Sequence, residues 1–531
     1  MKLICIVLIA PFFVYSCSGK PPAMPLLKTD TTITRATSFS KLFLDSVKLE
    51  KFIAGNGTSD SVARQLKVFY ASRNYEFAWF TEEGIPEHTR AFWNLHNNYI
   101  DLFQDTTLKF KRLHHDIDLL MDQSSQIDTR SGYILKAELE LTGHFFEYAN
   151  HAYSGRTNPG QMQWYIPTKK INQVALLDSF ISRDGKSLQG WEPVNIYYTR
   201  LKQALVRYDK IEKAGGWGTI LPVRFGKLSI GLPSPIVKEL KRRFQRSGDD
   251  TSGDTSEYYT PALDSQIRSS QKMYGLKDDG IIGVALIQAL NIPVKDRIRQ
   301  LLVNMERMRW LPDQPNKEFI IVNIPEFRLH IMNHGNKVFS MNIIVGKEAH
   351  STVIFSGNLQ YIVFNPYWNV PPSIVRNEVL PAIARNGNYL QKMNMEQTGV
   401  LDGLPVIRQK PGGANALGRV KFIFPNSFNI YLHDTPVKSL FHEDNRAFSH
   451  GCIRLEEPLK LAKYLLRNEH GWTDQEINSA TSGSEEKWVT LKEPVAVFMT
   501  YFTAWVDAAG ALNFRKDIYG HDKTLASHLF E

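Results

Sequence analysis

One block, Asn429 to Pro458 (NIYLHDTPVKSLFHEDNRAFSHGCIRLEEP), gathers Tyr431, His433, His442, Ser449, His450 and Cys452, side chains able to move protons or attack a carbonyl. A cysteine acts as a nucleophile through its thiolate, and an imidazole nearby can supply the base. Three readings of Cys452 compete: a buried inert thiol, a zinc ligand with His433, His442 and His450, and a nucleophile paired with a histidine. SHGC flanked by Arg454 and acidic residues is a poor core sequence, and the histidine spacings match no standard zinc set. The nucleophile is therefore the preferred reading. His433 closes a strand-like stretch, and the Pro458 helix (LEEPLKLAKYLLRN) is expected to start just beyond Cys452, its backbone N–H groups favouring negative charge. Gly451 would let the backbone approach a substrate carbonyl.

Elements around this block must hold it. From Phe319 onward the chain turns β-rich: FIIVN (319–323), RLHIM (328–332), VFSMNIIV (338–345), YIVFN (361–365), KFIF (421–424) and FNIYL (428–432) read as strands. Residues of about 366–416 interrupt them as a capping insertion, in which Asn365, Tyr367, Trp368 and Asn369 are placed to line a cleft or to pack the cap. Residues 493–518 read as a late hairpin turning at Asp507 to Gly510. The fold class is multidomain α+β, with a catalytic domain at 316–505 and a C-terminal hairpin and tail at 506–531. Before it come a mostly helical scaffold (36–228, with Trp79, Trp93, Trp164 and Trp191 in its core), a small three-helix module (233–293) and an amphipathic linking helix (296–312).

Met1-Lys2 followed by LICIVLIAPFFVYS and Cys17 reads as a lipoprotein-type signal peptide (1–17), with 18–35 a flexible tether. That places the folded part outside the cytoplasmic membrane, held by a lipid on Cys17, in the periplasm or cell envelope. With Cys5 removed and Cys17 acylated, only Cys452 of the three cysteines stays free. A lone thiol in an oxidising compartment needs a use. The formal charge of +9 suits an anionic partner, but no dense Lys/Arg run marks a nucleic-acid binder.

His433, the gap of about fifteen residues and Ser449-His450-Gly451-Cys452-Ile453-Arg454 resemble the signature of the L,D-transpeptidases with a YkuD-type catalytic domain. KPGGANALGRVKFIFPNSFNIYLHDTP (410–436), RIRQLLVNMERMRWLP (297–312) and TYFTAWVDAAG resemble the long, scaffold-bearing branch. DGIIG and ALN (289–291) resemble a peptidoglycan-binding module, with sugar binding and a packing spacer both open. The resemblance implies that Cys452 cleaves an L-centre–D-Ala bond in a tetrapeptide stem, forms a thioester and passes it to an amine of a neighbouring stem. It implies His433 as general base, Tyr431 and the Gly451/Cys452 backbone as oxyanion hole, and Arg454, Ser449, His450, Trp368 and Tyr367 as substrate-contacting or loop-orienting residues. No cofactor or metal is implied, and carbapenem-type β-lactams are expected to inhibit. Hydrolysis, ligation of wall to protein, or an inactive wall-binding lipoprotein remain alternatives. A papain-like protease is disfavoured, because the histidine here precedes the cysteine.

Overall fold

The computed structural model describes residues 30–531 apart from 31, 123–131, 185, 187–189, 222–227, 229, 251 and 313–317. The signal-like segment, Cys17 and most of the tether lie outside the described residues. The described residues pack into two compact units: those within 30–90, 111–146 and 177–185, and those within 91–110, 147–176 and 186–531. Among the described residues no helix is long and apolar enough to cross a membrane.

The first unit is helical. Its core holds Leu66, Phe69, Trp79, Phe145 and Phe180. A buried carboxylate organises it: Glu138 accepts from the Tyr70 hydroxyl at 2.8 Å and from the backbone N–H of Ala78 and Trp79 at 2.6 and 2.9 Å.

The second unit contains the chemistry-bearing block. Eight strands matter: β1 (Phe319–Asn323), β2 (Arg328–Asn333), β3 (Asn336–Gly346), β4 (Ile354–Phe364), β5 (Val420–Ile423), β6 (Leu432–His433), β7 (Ile453–Leu455) and β8 (Lys487–Thr500). They pair in the order β4-β8-β1-β2-β3-β7-β6-β5, and β5 pairs again with β4, so the sheet closes on itself. The pairings β8–β1 and β6–β7 are parallel, and the other six are antiparallel. Apolar residues alternate inward: Ile320, Val322, Leu329, Ile331, Ile343, Val363, Phe422, Leu432, Ile453, Leu455 and Val497 are all fully buried.

Four expectations are corrected. Residues 428–432 do not form a strand over their length. The Asn426 side chain accepts from Phe428 and Ile430 N–H, and Asn429 has φ +55°, so a turn occupies the stretch until Leu432. Residues 493–500 belong to β8 in the barrel wall, and only Ala504–Val506 with Leu512–Phe514 make the hairpin, closed by Asp507–Ala511. β8 shifts register between Thr490 and Val495, where Pro494 cannot donate to the ladder. The helix at Val294–Trp310 is not amphipathic in the ordinary sense, because most of it is buried, polar residues included. Each of these polar residues has a partner: Asn304 bonds Thr503, Arg307 pairs with Asp522 at 2.5 Å, and Arg309 pairs with Glu306 at 2.6 Å. The fourth correction concerns Cys452 and belongs to the site.

The capping insertion has a three-stranded sheet (Trp368–Asn369, Leu404–Gln409, Met395–Leu401) and its own core of Val370, Val375, Val379, Met395 and Ile407. The 233–293 segment forms three helices, Pro235–Arg246, Pro261–Met273 and Val284–Leu290. Its core is built on Val237, Leu240, Ile267, Leu286 and Leu290.

Leu432 is fully buried on the barrel side of β6. Leu432→Ala is expected to cost about 2–5 kcal/mol, read as a lower denaturant midpoint for the unit that holds the barrel. An unchanged midpoint would mean that β6 is not anchored by this side chain.

Candidate active site

Register brings the chemistry together. His433 pairs with Arg454 in the parallel β6–β7 ladder and with Lys421 in the antiparallel β6–β5 ladder. Paired residues share a face, and positions two apart on a strand do also. Tyr431, His433, Cys452, Arg454 and Lys421 therefore project from one side, while Leu432, Ile453, Phe422 and Leu455 fill the barrel. Contacts agree: the Tyr431 and His433 rings are 5.7 Å apart, and the Lys421 Nζ stands 3.9 Å over the Tyr431 ring. The Tyr431 hydroxyl lies against the Cys452 thiol and the cap residue Trp368.

Cys452 does not precede a helix N-terminus. Ile453–Leu455 is strand β7, and the helix Pro458–Leu466 begins only after it. The alternation Ile453-Arg454-Leu455 satisfies the sheet and sends the apolar residues inward, so the sheet takes these residues. The helix dipole expected at the thiol is absent there, and its electrostatic surroundings are the side chains of the sheet face.

The SHGC turn is tied from several sides. The buried Ser449 hydroxyl donates to the Cys452 carbonyl at 2.6 Å and accepts the Gly451 N–H at 3.1 Å. Thr352 Oγ1 donates to the Gly451 carbonyl at 2.9 Å and accepts from Gly346 N–H at 3.0 Å. Gly451 has φ +113°, a conformation that favours glycine. Because its N–H already serves Ser449, Gly451 is a shaping residue, and its expected oxyanion role is not the one its geometry favours. Beside the thiol, the Tyr431 hydroxyl and backbone N–H are donors.

His433 is buried, and its Nδ1 bonds the Asp434 carbonyl. A carbonyl only accepts, so Nδ1 carries the hydrogen and Nε2 keeps a lone pair. Burial, then the Arg454 charge, draws its pKa down to about 3. Burial also raises the half-buried Cys452 thiol above its ordinary value, against the Tyr431 N–H and hydroxyl and the Lys421 and Arg454 charges. The thiol donates to the Asn429 carbonyl at 3.8 Å. The resting pair is thus neutral thiol and neutral imidazole.

The remaining sequence-chosen residues divide. Trp368 reaches the site. Tyr367 lies 4.3 Å under the Arg408 guanidinium, and its N–H donates to Glu486, so its neighbours are those of the cap. Asn365 is buried in a corner, bonding Ala480 and Arg419. His450 points to Glu378 of the cap at 3.1 Å, and its ring lies tilted against His350 at 5.1 Å. Among the described residues no group of three or more His, Cys, Asp or Glu side chains is arranged to hold a metal ion. Sequence reasoning missed Lys421, Thr352, Glu378 and Asp434. Only Lys421 left a signal, since KFIF alternates a cation with inward apolar residues.

Residues 317–490 match the YkuD family model, described as the L,D-transpeptidase catalytic domain. Residues 64–205 match the Scaffold domain, and residues 233–290 match a "Putative peptidoglycan binding domain". A "Putative L,D-transpeptidase" of Haemophilus influenzae is 33% identical over 242 residues, 43% of this chain and 49% of that protein, so the chain spans about half the length of this relative. An L,D-transpeptidase structure from Xylanimonas cellulosilytica aligns at 13% identity and TM-score 0.19, covering 53% of this chain and 100% of that one. One from Stackebrandtia nassauensis aligns at 12% and 0.20, covering 52% and 97%. The chain resembles the L,D-transpeptidase family in its long form, with a YkuD-type catalytic domain, a scaffold and a peptidoglycan-binding-like module.

A neutral resting pair has a measurable signature. The rate of Cys452 alkylation by iodoacetamide in the free protein should keep climbing above pH 9 and show no plateau between pH 5 and 8, because thiolate forms only as the raised thiol pKa is approached. A plateau below pH 7 would indicate a preformed thiolate–imidazolium pair instead.

Proposed function

We propose, from a YkuD-type L,D-transpeptidase catalytic domain at residues 317–490, that Cys452 is an acylating nucleophile that cross-links peptidoglycan stems. The observation that carries this reading is the shared face of Cys452, His433 and Tyr431, with His433 held in the tautomer that leaves Nε2 free.

In the first half-reaction the S–H turns from the Asn429 carbonyl to His433 Nε2, which takes the proton as sulfur attacks the carbonyl carbon of an L-centre–D-Ala bond. The oxyanion is held by the Tyr431 hydroxyl and the Cys452 N–H. The C–N bond breaks, the imidazolium returns its proton to the leaving amine, and D-Ala departs from a thioester. An amine of a neighbouring stem then attacks, passes its proton to His433, and expels the thiolate, which is reprotonated. Both His433 and Cys452 return to the neutral state they started from. Trp368 narrows the approach from the cap side, and the 233–290 module would keep the enzyme on its polymer.

Incubation of the soluble chain (residues 30–531) with a carbapenem should add one inhibitor mass to the protein. Cys452→Ala should abolish the adduct, and His433→Ala should slow its formation at least about 100-fold. No adduct on folded wild type would sink the nucleophile and favour an inactive wall binder. Supplying tetrapeptide muropeptides then separates cross-linking from hydrolysis and from ligation to a protein amine by the product formed.

The signal-like N-terminus supports an exported protein anchored in the envelope through Cys17. Mass analysis of the mature N-terminus should find Cys17 first and acylated. A mature chain that retains residues 1–16, or carries no acyl group, would refute the anchor.

A further inference from the structure

Two cations stand on the Cys452 face without an anion. Arg454 is half-buried, its Nε is buried without a hydrogen-bond partner, and no hydrogen bond or ion pair to its guanidinium occurs among the described residues. Lys421 is likewise half-buried and makes no ion pair or side-chain hydrogen bond among the described residues, resting only on the Tyr431 ring. Glu486 attracts it electrostatically, but the Glu486 oxygens are engaged by the Tyr367 N–H at 2.9 Å and the Trp488 indole at 3.0 Å. Burying a cation unpaired is costly, and two together repel. Burial lowers the pKa of both, as expected of charges deprived of solvent and counter-ion. The thiol does not neutralise them at rest, because it is protonated. Such an arrangement is built to receive a negative charge from outside the chain.

We propose that Lys421 and Arg454 together form a carboxylate seat beside Cys452, which holds the free carboxylate of the D-Ala residue whose amide bond is cleaved. The proposal rests on the transpeptidase reading and names the part of the donor that the site recognises. Covalent geometry supports the choice of carboxylate. The leaving residue's carboxyl carbon is three bonds from the scissile carbonyl carbon, so it comes within about 6 Å of an attacking sulfur in any reactive pose. Cys452 directly precedes β7, two residues before Arg454, and Lys421 lies across β6 from Arg454, paired to the same His433. Arg454 offers a planar fork and Lys421 a point charge, a pairing suited to a carboxylate that must later leave. Lys421 lies outside the histidine-to-cysteine signature; the sheet register alone brings it to the thiol.

The test compares a tetrapeptide stem ending in free D-Ala with the same stem ending in D-alaninamide, on wild type, Lys421→Met and Lys421→Arg in residues 30–531. Wild type should form thioester from the acid about 10- to 100-fold faster, in kcat/KM, than from the amide. Lys421→Met should remove most of that preference, and Lys421→Arg should keep it. The iodoacetamide pH profile of free Cys452 should shift upward in Lys421→Met, since a charge that lowers the thiol pKa is gone, and that effect falls on both stems alike. Loss of rate in Lys421→Met that is equal on the two stems, leaving the acid–amide preference intact, would overturn the seat and make Lys421 a thiolate stabiliser only. Equal rates for acid and amide on wild type would overturn it without any variant. Acylation of Cys452 by a carbapenem is run alongside: if it fails, the transpeptidase reading itself falls, and if it succeeds while the acid–amide preference is absent, only the seat does.

Discussion

Everything at the site depends on the two-residue parallel pairing of β6 with β7. Leu432 opposite Ile453 and His433 opposite Arg454 fix which side chains meet. A slip of one residue would send His433 into the barrel and Leu432 to solvent. So short a ladder cannot hold register by itself. It is held because β5 and β3 flank it and the circuit closes through β4, leaving neither strand an edge to slide along. Leu432, Ile453, Phe422 and Leu455 then lock it by packing, at roughly 1.5–3 kcal/mol for each buried apolar side chain. The barrel core and the reactive face are two sides of one alternation.

That face is electrostatically unusual. A thiolate–imidazolium pair would gain Coulomb energy, but both ions would lose hydration in a site that already carries Lys421 and Arg454. The two cations help the thiolate and oppose the imidazolium, so ion-pair formation gains on one partner what it loses on the other. Burial opposes both charges. The neutral pair is therefore favoured at rest, and in the proposed reaction charge separates only when a carbonyl and its oxyanion donors are present to share it. This keeps the thiol from reacting indiscriminately.

The candidate site residues were legible because Cys, His and Gly spacing is local and chemically distinctive. Strand positions at 319–345 were legible from β-branched runs, and the three module helices from Pro, Gly and apolar periodicity. Three things were not. The helix 294–310 carries Arg297, Asn304, Glu306, Arg307 and Arg309, which imply an exposed face in sequence. Their partners, such as Thr503 and Asp522, lie some two hundred residues away in the chain. The placement of Cys452 just before a helix N-terminus failed because Ile453–Leu455 satisfies two neighbouring strands at once, a fact no local pattern contains. Lys421 went unnoticed because strand register, not proximity in sequence, brings it beside the thiol.

The far C-terminus shows why the reactive turn needs more than the segment that carries its signature. Tyr519 donates its hydroxyl to the Gly346 carbonyl at 2.5 Å and accepts from Thr352 N–H at 3.4 Å, and Thr352 in turn holds Gly451. Tyr519 is itself placed by its N–H to the Tyr501 hydroxyl, which donates to Asp517. Tyr501 follows directly on β8, which pairs parallel with β1. A Cβ at Gly346 would collide with the His350 carbonyl and come within 3.1 Å of Gly451 Cα, so the turn sits against backbone with no room to move that way. A glycine at positive φ that must present one thiol in one direction has to be over-determined by its surroundings. Here the determination comes from a hydrogen-bonded relay that starts beyond the barrel's last strand and ends one residue from the sulfur.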